Sequence, residues 1–498
     1  MSHGHFDADL PRLCAANLRR ARSGVVLPAY ERSRTRPGVV HLGLGNFHRA
    51  HQAIFLERLL HAGDERWGVA GLSFRRSAIR NDLAPQDYLF AVHYDDERDR
   101  ELRVVGCLKE NIVIGEDRSR LADLLNSADV KIVTLTVTEK GYCRATPSND
   151  LDFDHPDIQH DLAKSGAPRS AIGLIASMIA LRERAGLPLP IFMSCDNLPA
   201  NGRLLGRLVG QFMSAGYPDL AGCTEQSDLF PCSMVDRIVP ELTEASGRKI
   251  CRQLGLNDAR PIDTEPFIQW VTEAAGSREG PDWALAGVTV TKDVQAYEVA
   301  KLRLLNGSHS AIAYLGYLAG YRSVSEAMAD TDLSAFVDRL LNRELVTTVP
   351  ETPGFNLADY ARRLCDRFRN PGLLHKTAQI AMDGSQKIPQ RLLDPIRARL
   401  ARSEDSPCMA MAIAGWIRYV TGFDERGGRI DVKDPLVERL LALGRARNEP
   451  ERLVDLALNI REVFGEDLGR DERFRRGLAD SLRLLITRGA RSAMKTLV

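Results

Sequence analysis

A strand, a glycine turn and a helix follow one another without a break near the start of the chain, and no other feature restricts its folding as much. Gly38-Val-Val-His-Leu42 is a short apolar run of the kind buried on both faces of a parallel sheet. Gly43-Leu-Gly45 then turns the backbone tightly, and Phe47 to Ala62 has helical periodicity. Further strands are predicted at Trp67 to Phe74, Val130 to Val137 and Pro190 to Cys195, with helical patterns such as Ser119 to Leu125 and Ser170 to Ala185 between them. Strands that alternate with helices imply a doubly wound sheet. Beyond Asp293 the texture changes. Ala296 to Tyr321, Leu333 to Glu344, Leu357 to Phe368, Cys408 to Tyr419 and Leu453 to Val463 all read as helices, and strand alternation is absent. The expectation is an α/β domain over 1–290 and a mostly α-helical domain over 291–498, divided after the strand-like Gly287 to Thr291.

A chain of 498 residues exceeds one ordinary hydrophobic core, in keeping with two or three domains. Sixty-seven Lys and Arg against sixty-six Asp and Glu leave a formal charge of +1, so no overall field favours nucleic acid or an acidic membrane, and a small-molecule partner fits better. Nine cysteines without a CxxC pair argue against a disulfide framework and a structural zinc site. The N-terminus lacks the apolar segment of a secretory signal, and the apolar stretch Ala311 to Tyr321 is far short of the ~20 residues a membrane span requires. A cytoplasmic location is expected. No repeat, low-complexity tract or dimerisation stripe stands out, so the oligomeric state is open.

The chemistry is concentrated in Lys301-Leu-Arg-Leu-Leu-Asn306-Gly-Ser-His309-Ser, inside an apolar helical run. At about 100° per residue, Glu298, Lys301, Asn306 and His309 fall within roughly 140° of one another on an α-helix. Burying a lysine is costly unless it is paired or neutral, and partial desolvation lowers its pKa toward the range useful to a base. An amide and an imidazole beside it would hold the oxygen of an alcohol becoming a carbonyl. The alternative is a solvated helix edge with the lysine reaching water.

Gly43-Leu44-Gly45-Asn46-Phe47-His48 is a variant of the dinucleotide turn G-x-G-x-x-G, with His48 in the third glycine position. Directly after a strand and opening a helix, it is placed to let the backbone of Gly43 to Phe47 approach a pyrophosphate. The second strand closes with Ser73-Phe-Arg75-Arg76 and no carboxylate for the ribose of NAD; Arg75 and Arg76 would suit the 2′-phosphate of NADP, or be solvated charges. The end of the Thr134 to Thr138 strand, with Thr138 and Lys140, is where open α/β sheets take ligands. His48 and His51 have H-x-x-H spacing, but no third ligand is near them in sequence and a metal is not expected.

Taken together, Gly43-x-Gly45-x-Phe47-His48-Arg49-Ala-His51-Gln52, Thr136-Val-Thr138-Glu139-Lys140-Gly141-Tyr142, Ser194-Cys-Asp196-Asn197, Met234-Val-Asp236-Arg237-Ile238 and the lysine helix resemble the mannitol dehydrogenase family, the polyol-specific long-chain dehydrogenases and reductases. The resemblance runs from about residue 38 to beyond residue 460. Glu265-Pro-Phe-Ile-Gln-Trp270 and Ala381-Met-Asp-Gly-Ser-Gln-Lys387-Ile-Pro-Gln-Arg391 are most similar to its fructuronate reductase (D-mannonate oxidoreductase) branch.

The resemblance implies a Rossmann-type domain followed by a helical domain, and metal-independent hydride transfer between NAD, or NADP, and a secondary alcohol or ketose. It implies that Lys301 is the catalytic base, that Asn197 and Asn306 hold the oxyanion, that His309 orients the substrate and that Glu298 lies on the proton path. Asp236 and Lys387 match substrate contacts, and Arg391 would suit a carboxylate or be a solvated charge. Gln379 stands where mannitol-specific members carry an arginine, which favours a sugar acid. Leu374 and Ala378 depart from the sugar-acid branch, as does Ser73 to Ser77. The expected activity is D-mannonate/D-fructuronate oxidoreduction; the rivals are a polyol dehydrogenase for mannitol, arabinitol or sorbitol, and a nucleotide-binding sensor without catalysis. The family is compatible with a monomer.

Overall fold

The computed structural model describes residues 6–7, 9–96, 99–145, 148–226, 228–276, 278–351, 355–372 and 375–498. The chain divides into two compact units, Met1–Gln295 and Ala296–Val498.

The N-terminal unit contains β1 (Val39–Leu42), β2 (Val69–Ser73), β3 (Phe90–Asp95), β4 (Arg100–Val105), β5 (Leu108–Val113), β6 (Ile132–Leu135), β7 (Ile191–Ser194), β8 (Ser233–Asp236), β9 (Ile262–Thr264), β10 (Gln269–Glu273) and β11 (Thr289–Thr291). The central sheet is parallel throughout, in the order β5-β2-β1-β6-β7. Successive side chains of a strand point to opposite faces, so Val39, Val69, Ile132 and Ile191 enter one core while Val40, Ala70, Val133 and Phe192 enter another. Burial on both faces explains why these strands read as continuous apolar runs rather than alternating ones.

The periodicity of this half did not reveal two further sheets. One joins β8 antiparallel to β10, with β11 parallel on its far side; the other is β4-β3-β9. β9 and β11 are only three residues long, and all of these strands except the fully buried β8 include half-buried or exposed residues, which weakens the apolar signal. The helix predicted from Phe47 to Ala62 is two helices, Asn46–Ala50 and Gln52–His61, broken at His51, whose φ of −121° and ψ of −87° are not helical.

The C-terminal unit is helical. Pro407–Val420 is buried at every position from Cys408 onward, the pattern of a helix enclosed on all sides, and it packs between Gly307–Leu318 and Glu472–Lys495. The single helix expected from Ala296 to Tyr321 is instead an α-turn (Gln295–Ala300), a π-helical segment (Lys301–Asn306) and an α-helix (Gly307–Leu318). Two more π segments, Leu340–Leu345 and Pro389–Leu393, pack against the first.

Candidate active site

In the N-terminal unit β1 runs straight into the glycine turn. Gly43 has φ +85°, and a Cβ there would lie 2.5 Å from the carbonyl oxygen of Thr136, so the turn admits only glycine. Gly45 differs. Its φ is −119°, and the nearest atom to an added Cβ is the Gly43 carbonyl oxygen at 3.6 Å. Packing does not demand glycine there; the space on that side of the turn is open, as a bulky phosphate group requires. Leu44 is buried beneath the turn, exposed Asn46 accepts a 2.7 Å hydrogen bond from Arg49, and Phe47 stacks on His51. His48, in the third glycine position, stacks on His41 of β1 with ring centroids 3.5 Å apart, so helix and strand meet through two imidazoles. Burial pushes both well below the histidine range, His41 to about 3, and His41 bonds the hydroxyls of Thr134 and Thr136 at 2.8 and 3.0 Å. His51 Nε2 meets the carbonyl oxygen of Gln269 at 2.8 Å.

Strand order reverses between β1 and β6: β2 and β5 lie to one side, and β6 and β7 to the other. The carboxyl ends of strands at such a switch point are the ligand crevice of open α/β sheets. The glycine turn leaves β1 there, and Thr136 to Tyr142 leave β6. Asp196, just after β7, organises the second loop: its carboxylate accepts hydrogen bonds from the Val137 and Thr138 backbones at 3.1 and 2.9 Å and from the Tyr142 hydroxyl at 2.9 Å. These bonds hold Thr138 at φ +64°, a conformation that costs a non-glycine residue of order 1–3 kcal/mol and recurs at functional sites. Two sequence motifs more than fifty residues apart thus become one structure, with Thr138, Lys140 and Asn197 exposed on it.

Asp236 ends β8 and is 2 % exposed. The adjacent Arg237 donates to the carbonyl oxygen of Ala50 at 2.5 Å and to that of Glu265 at 2.6 Å, fastening β8 to the helix after the glycine turn. Arg75 is exposed, and its guanidinium pairs with the Asp157 carboxylate.

In the C-terminal unit the π segment alters the geometry expected of the lysine helix. In a π turn the hydrogen bond spans five residues, and Lys301 and Asn306 are five apart, so they lie closer to one line than an α-helix would put them. The serine after it contributes to the distortion: Ser308 Oγ bonds the carbonyl oxygens of Leu304 and Leu305, and Ser310 Oγ that of Asn306 at 3.0 Å, the back-bonding that bends helices. A Cβ on Gly307 would sit 2.9 Å from the carbonyl oxygen of Arg391, so glycine lets the segment Pro389–Leu393 approach closely. Lys301, Glu298 and Asn306 are half-buried. His309 is buried, which with nearby His375, Arg367 and Arg391 drives its pKa well below the usual range and keeps the ring neutral. Arg391 donates to Ser310 Oγ at 3.1 Å, and burial holds its pKa down to about 10. Lys387 is half-buried and donates to the Met382 carbonyl oxygen at 2.5 Å. Gln379 and Ala378 are exposed; Leu374 lies outside the described residues.

Residues 37–285 match the family model described as the mannitol dehydrogenase Rossmann domain, and residues 293–485 match that of the mannitol dehydrogenase C-terminal domain. The chain belongs to the mannitol dehydrogenase family. It is 39 % identical over 478 residues to D-mannonate oxidoreductase of Escherichia coli, covering 95 % of this chain and 98 % of that one. It superposes on Pseudomonas fluorescens mannitol 2-dehydrogenase, solved as a ternary complex with NAD and D-mannitol, with a TM-score of 0.86 at 34 % identity, covering 98 % and 99 % of the two chains. Against a substrate-free D-sorbitol dehydrogenase the TM-score is 0.88 at 27 % identity, covering 97 % and 100 %. Family membership makes the chain an oxidoreductase acting on a CH–OH group, with a Rossmann domain first and a helical domain second.

Within this member of the mannitol dehydrogenase family the predicted residues fall into two groups. Gly43 to Phe47, Thr138, Lys140 and Asn197 gather along the switch-point crevice of the first unit. Lys301, Asn306, His309 and Arg391 gather about the π segment of the second. Asp196, His41 and His375 had not been singled out; only Asp196 left a sequence signal, its place beside Asn197 in a shared motif.

Proposed function

We propose that the protein is an NAD-dependent D-mannonate/D-fructuronate oxidoreductase, the N-terminal domain binding the nucleotide and the C-terminal domain supplying the base. The observation behind the chemistry is a half-buried lysine on a π turn with Asn306 and His309 in the same short helical stretch. The nucleotide reading rests on the open space beside Gly45 at the switch point. NAD, when bound, supplies the hydride acceptor.

In the oxidation direction, neutral Lys301 Nζ accepts the hydroxyl proton of the substrate. Asn306 donates from its amide to the oxygen as its negative charge grows, and Asn197 does the same; each donor of this kind is worth about 3–4 kcal/mol when aimed at developing charge. His309, held neutral by burial, donates or accepts at a substrate hydroxyl and orients it. Glu298, one turn before the base, passes its proton on toward water. Reduction reverses these steps.

The choice of a sugar acid over a polyol is supported by 39 % identity to D-mannonate oxidoreductase over 95 % of the chain, by Gln379 in place of the arginine of mannitol-specific members, and by two cations, Lys387 and Arg391, toward which a carboxylate would turn. NAD rather than NADP is favoured because Arg75 is already paired with Asp157. With nine free thiols and no helix among the described residues long and apolar enough to cross a membrane, we place the enzyme in the cytoplasm. The test is turnover, read by nicotinamide absorbance, with D-mannonate and D-mannitol and each nicotinamide. Efficient oxidation of D-mannonate with NAD is expected; reaction with the uncharged polyol alone would reject the sugar-acid assignment.

A further inference from the structure

His309 has a neighbour that the sequence does not single out. His375 stands edge-on to it, with ring centroids 5.1 Å apart, and its backbone is pinned by a 3.0 Å hydrogen bond from the Val324 N–H to its carbonyl oxygen. His309 is 6 % exposed, and Phe368 closes another side of its ring at 4.7 Å. Both imidazoles have a buried nitrogen without a hydrogen-bond partner among the described residues, Nε2 of His309 and Nδ1 of His375. A buried polar atom left unpaired costs stability, and native proteins keep few of them except where a ligand or water completes the set.

The groups that disfavour a proton on either ring are cationic or imidazole groups. The groups whose fields act on His309 are His375, Arg367 and Arg391, and the one that acts on His375 is Lys387. Arg391 has five N–H donors; it bonds Ser310 Oγ, and no carboxylate pairs with it among the described residues. The Arg391 guanidinium thus lies near two imidazoles with unused nitrogens, all within the helical unit, and one of the two, His309, is the histidine expected to orient the substrate. A buried guanidinium such as that of Arg391, without a carboxylate partner among the described residues, is unfavourable in itself and becomes favourable when an anion enters.

We propose that His375 and Arg391, both neighbours of His309, hold the substrate carboxylate and thereby select a sugar acid over the neutral polyol. The inference rests on the sugar-acid reading above and adds to it a residue, His375, and a geometry. The Arg391 guanidinium donates to one or both carboxylate oxygens, and a ring N–H of His375 donates to the same group. A polyol places a neutral hydroxyl there, which satisfies one donor and leaves the positive charge uncompensated.

The experiment is a calorimetric titration of the full-length protein saturated with NADH, which cannot accept a hydride, so that D-mannonate and D-mannitol report binding alone. The wild type is expected to bind the acid at least about tenfold more tightly than the polyol, since a charge-assisted hydrogen bond is worth roughly a decade or more in affinity. Arg391→Met and His375→Leu should each bring that ratio toward one, and Arg391→Lys should restore part of it. If Arg391→Met does not fold, the half-buried His375→Asn asks the same question with less disturbance. A wild type that prefers the acid, with every folded variant keeping the preference, overturns this inference and leaves the sugar-acid reading standing. A wild type with no preference for the acid overturns both.

Discussion

Adding one methyl group at Gly45 separates a structural glycine from a functional one. The residue has φ −119°, a conformation open to any L-residue, and the nearest atom to its new Cβ lies at 3.6 Å, an ordinary van der Waals distance. The folded chain should therefore accept Gly45→Ala without strain, and the loss of unfolded-state freedom should stabilise it by about 0.4–1 kcal/mol. Cofactor binding should move the other way. The methyl occupies the open side of the turn, and pushing a pyrophosphate away from its backbone donors forfeits about 1.5–3 kcal/mol for each charge-assisted hydrogen bond lost, or roughly 10- to 100-fold in Kd for one bond. Gly43→Ala is the contrast. At φ +85° and 2.5 Å from the Thr136 carbonyl oxygen it should cost more than about 2 kcal/mol of stability, from left-handed backbone strain of about 1–2 kcal/mol plus the overlap. Thermal unfolding and NADH fluorescence titration read the two quantities separately. Unchanged NADH affinity in a well-folded Gly45→Ala protein would show that no nucleotide approaches this turn, and the cofactor assignment would fall with it.

Lys301→Met should lower turnover by at least about 10²-fold, the usual contribution of a general base, while NADH affinity is unchanged; near-normal steady-state turnover rules the lysine out. Asp196→Ala removes the acceptor of three hydrogen bonds and should cost at least about 1.5–3 kcal/mol in urea unfolding, with a weaker NADH complex because Thr138 is no longer held; intact stability would mean that the loop holds itself. The buried histidines set a pH dependence. His41 has a folded pKa of about 3 against about 6.5 when unfolded, so between these values the unfolded chain binds a proton that the folded chain does not. Stability is then full above about pH 6.5 and falls as pH drops toward 3, by up to about 1.4 kcal/mol per pH unit for this histidine, and His48 shifts in the same direction. Urea midpoints measured across that range should decline; a flat profile would show that the stacked pair gains protons without unfolding.

Local patterns were enough for the central sheet and the division into two halves, though not for the two smaller sheets. The apolar runs at Val39–Leu42, Ile132–Leu135 and Ile191–Ser194, the glycines after β1 and the helical periodicity beyond Asp293 state the α/β and α-helical halves directly, because burial on both faces of a strand or along one stripe of a helix leaves its mark on neighbouring residues. Strand ends were expected a residue or more beyond where they fall, since apolar residues continue past the last ladder bond, whereas helices such as Leu357–Arg369 and Pro407–Val420 extend a residue past the expected ends. Candidate residues such as Lys301, Asn306 and Thr138 were also legible, their chemistry being carried in short motifs.

What the motifs do not contain is how distant parts meet. The carboxylate of Asp196 reaches back almost sixty residues to hold Thr138 in a left-handed conformation, and that bond exists only because β6 and β7 are adjacent in the sheet. His375 comes within ring contact of His309 across more than sixty residues, and no periodicity records the pairing. The π turn under Lys301 belongs to the same class: α-helical spacing is all that the residues themselves express, while the extra residue per turn is sustained by serine back-bonding and by the close approach of Arg391 to Gly307. Secondary structure is written in the chain because its hydrogen bonds or its burial repeat at short intervals. The arrangement of the candidate catalytic and substrate-binding groups depends on contacts between segments remote in sequence, and only the folded molecule brings these together.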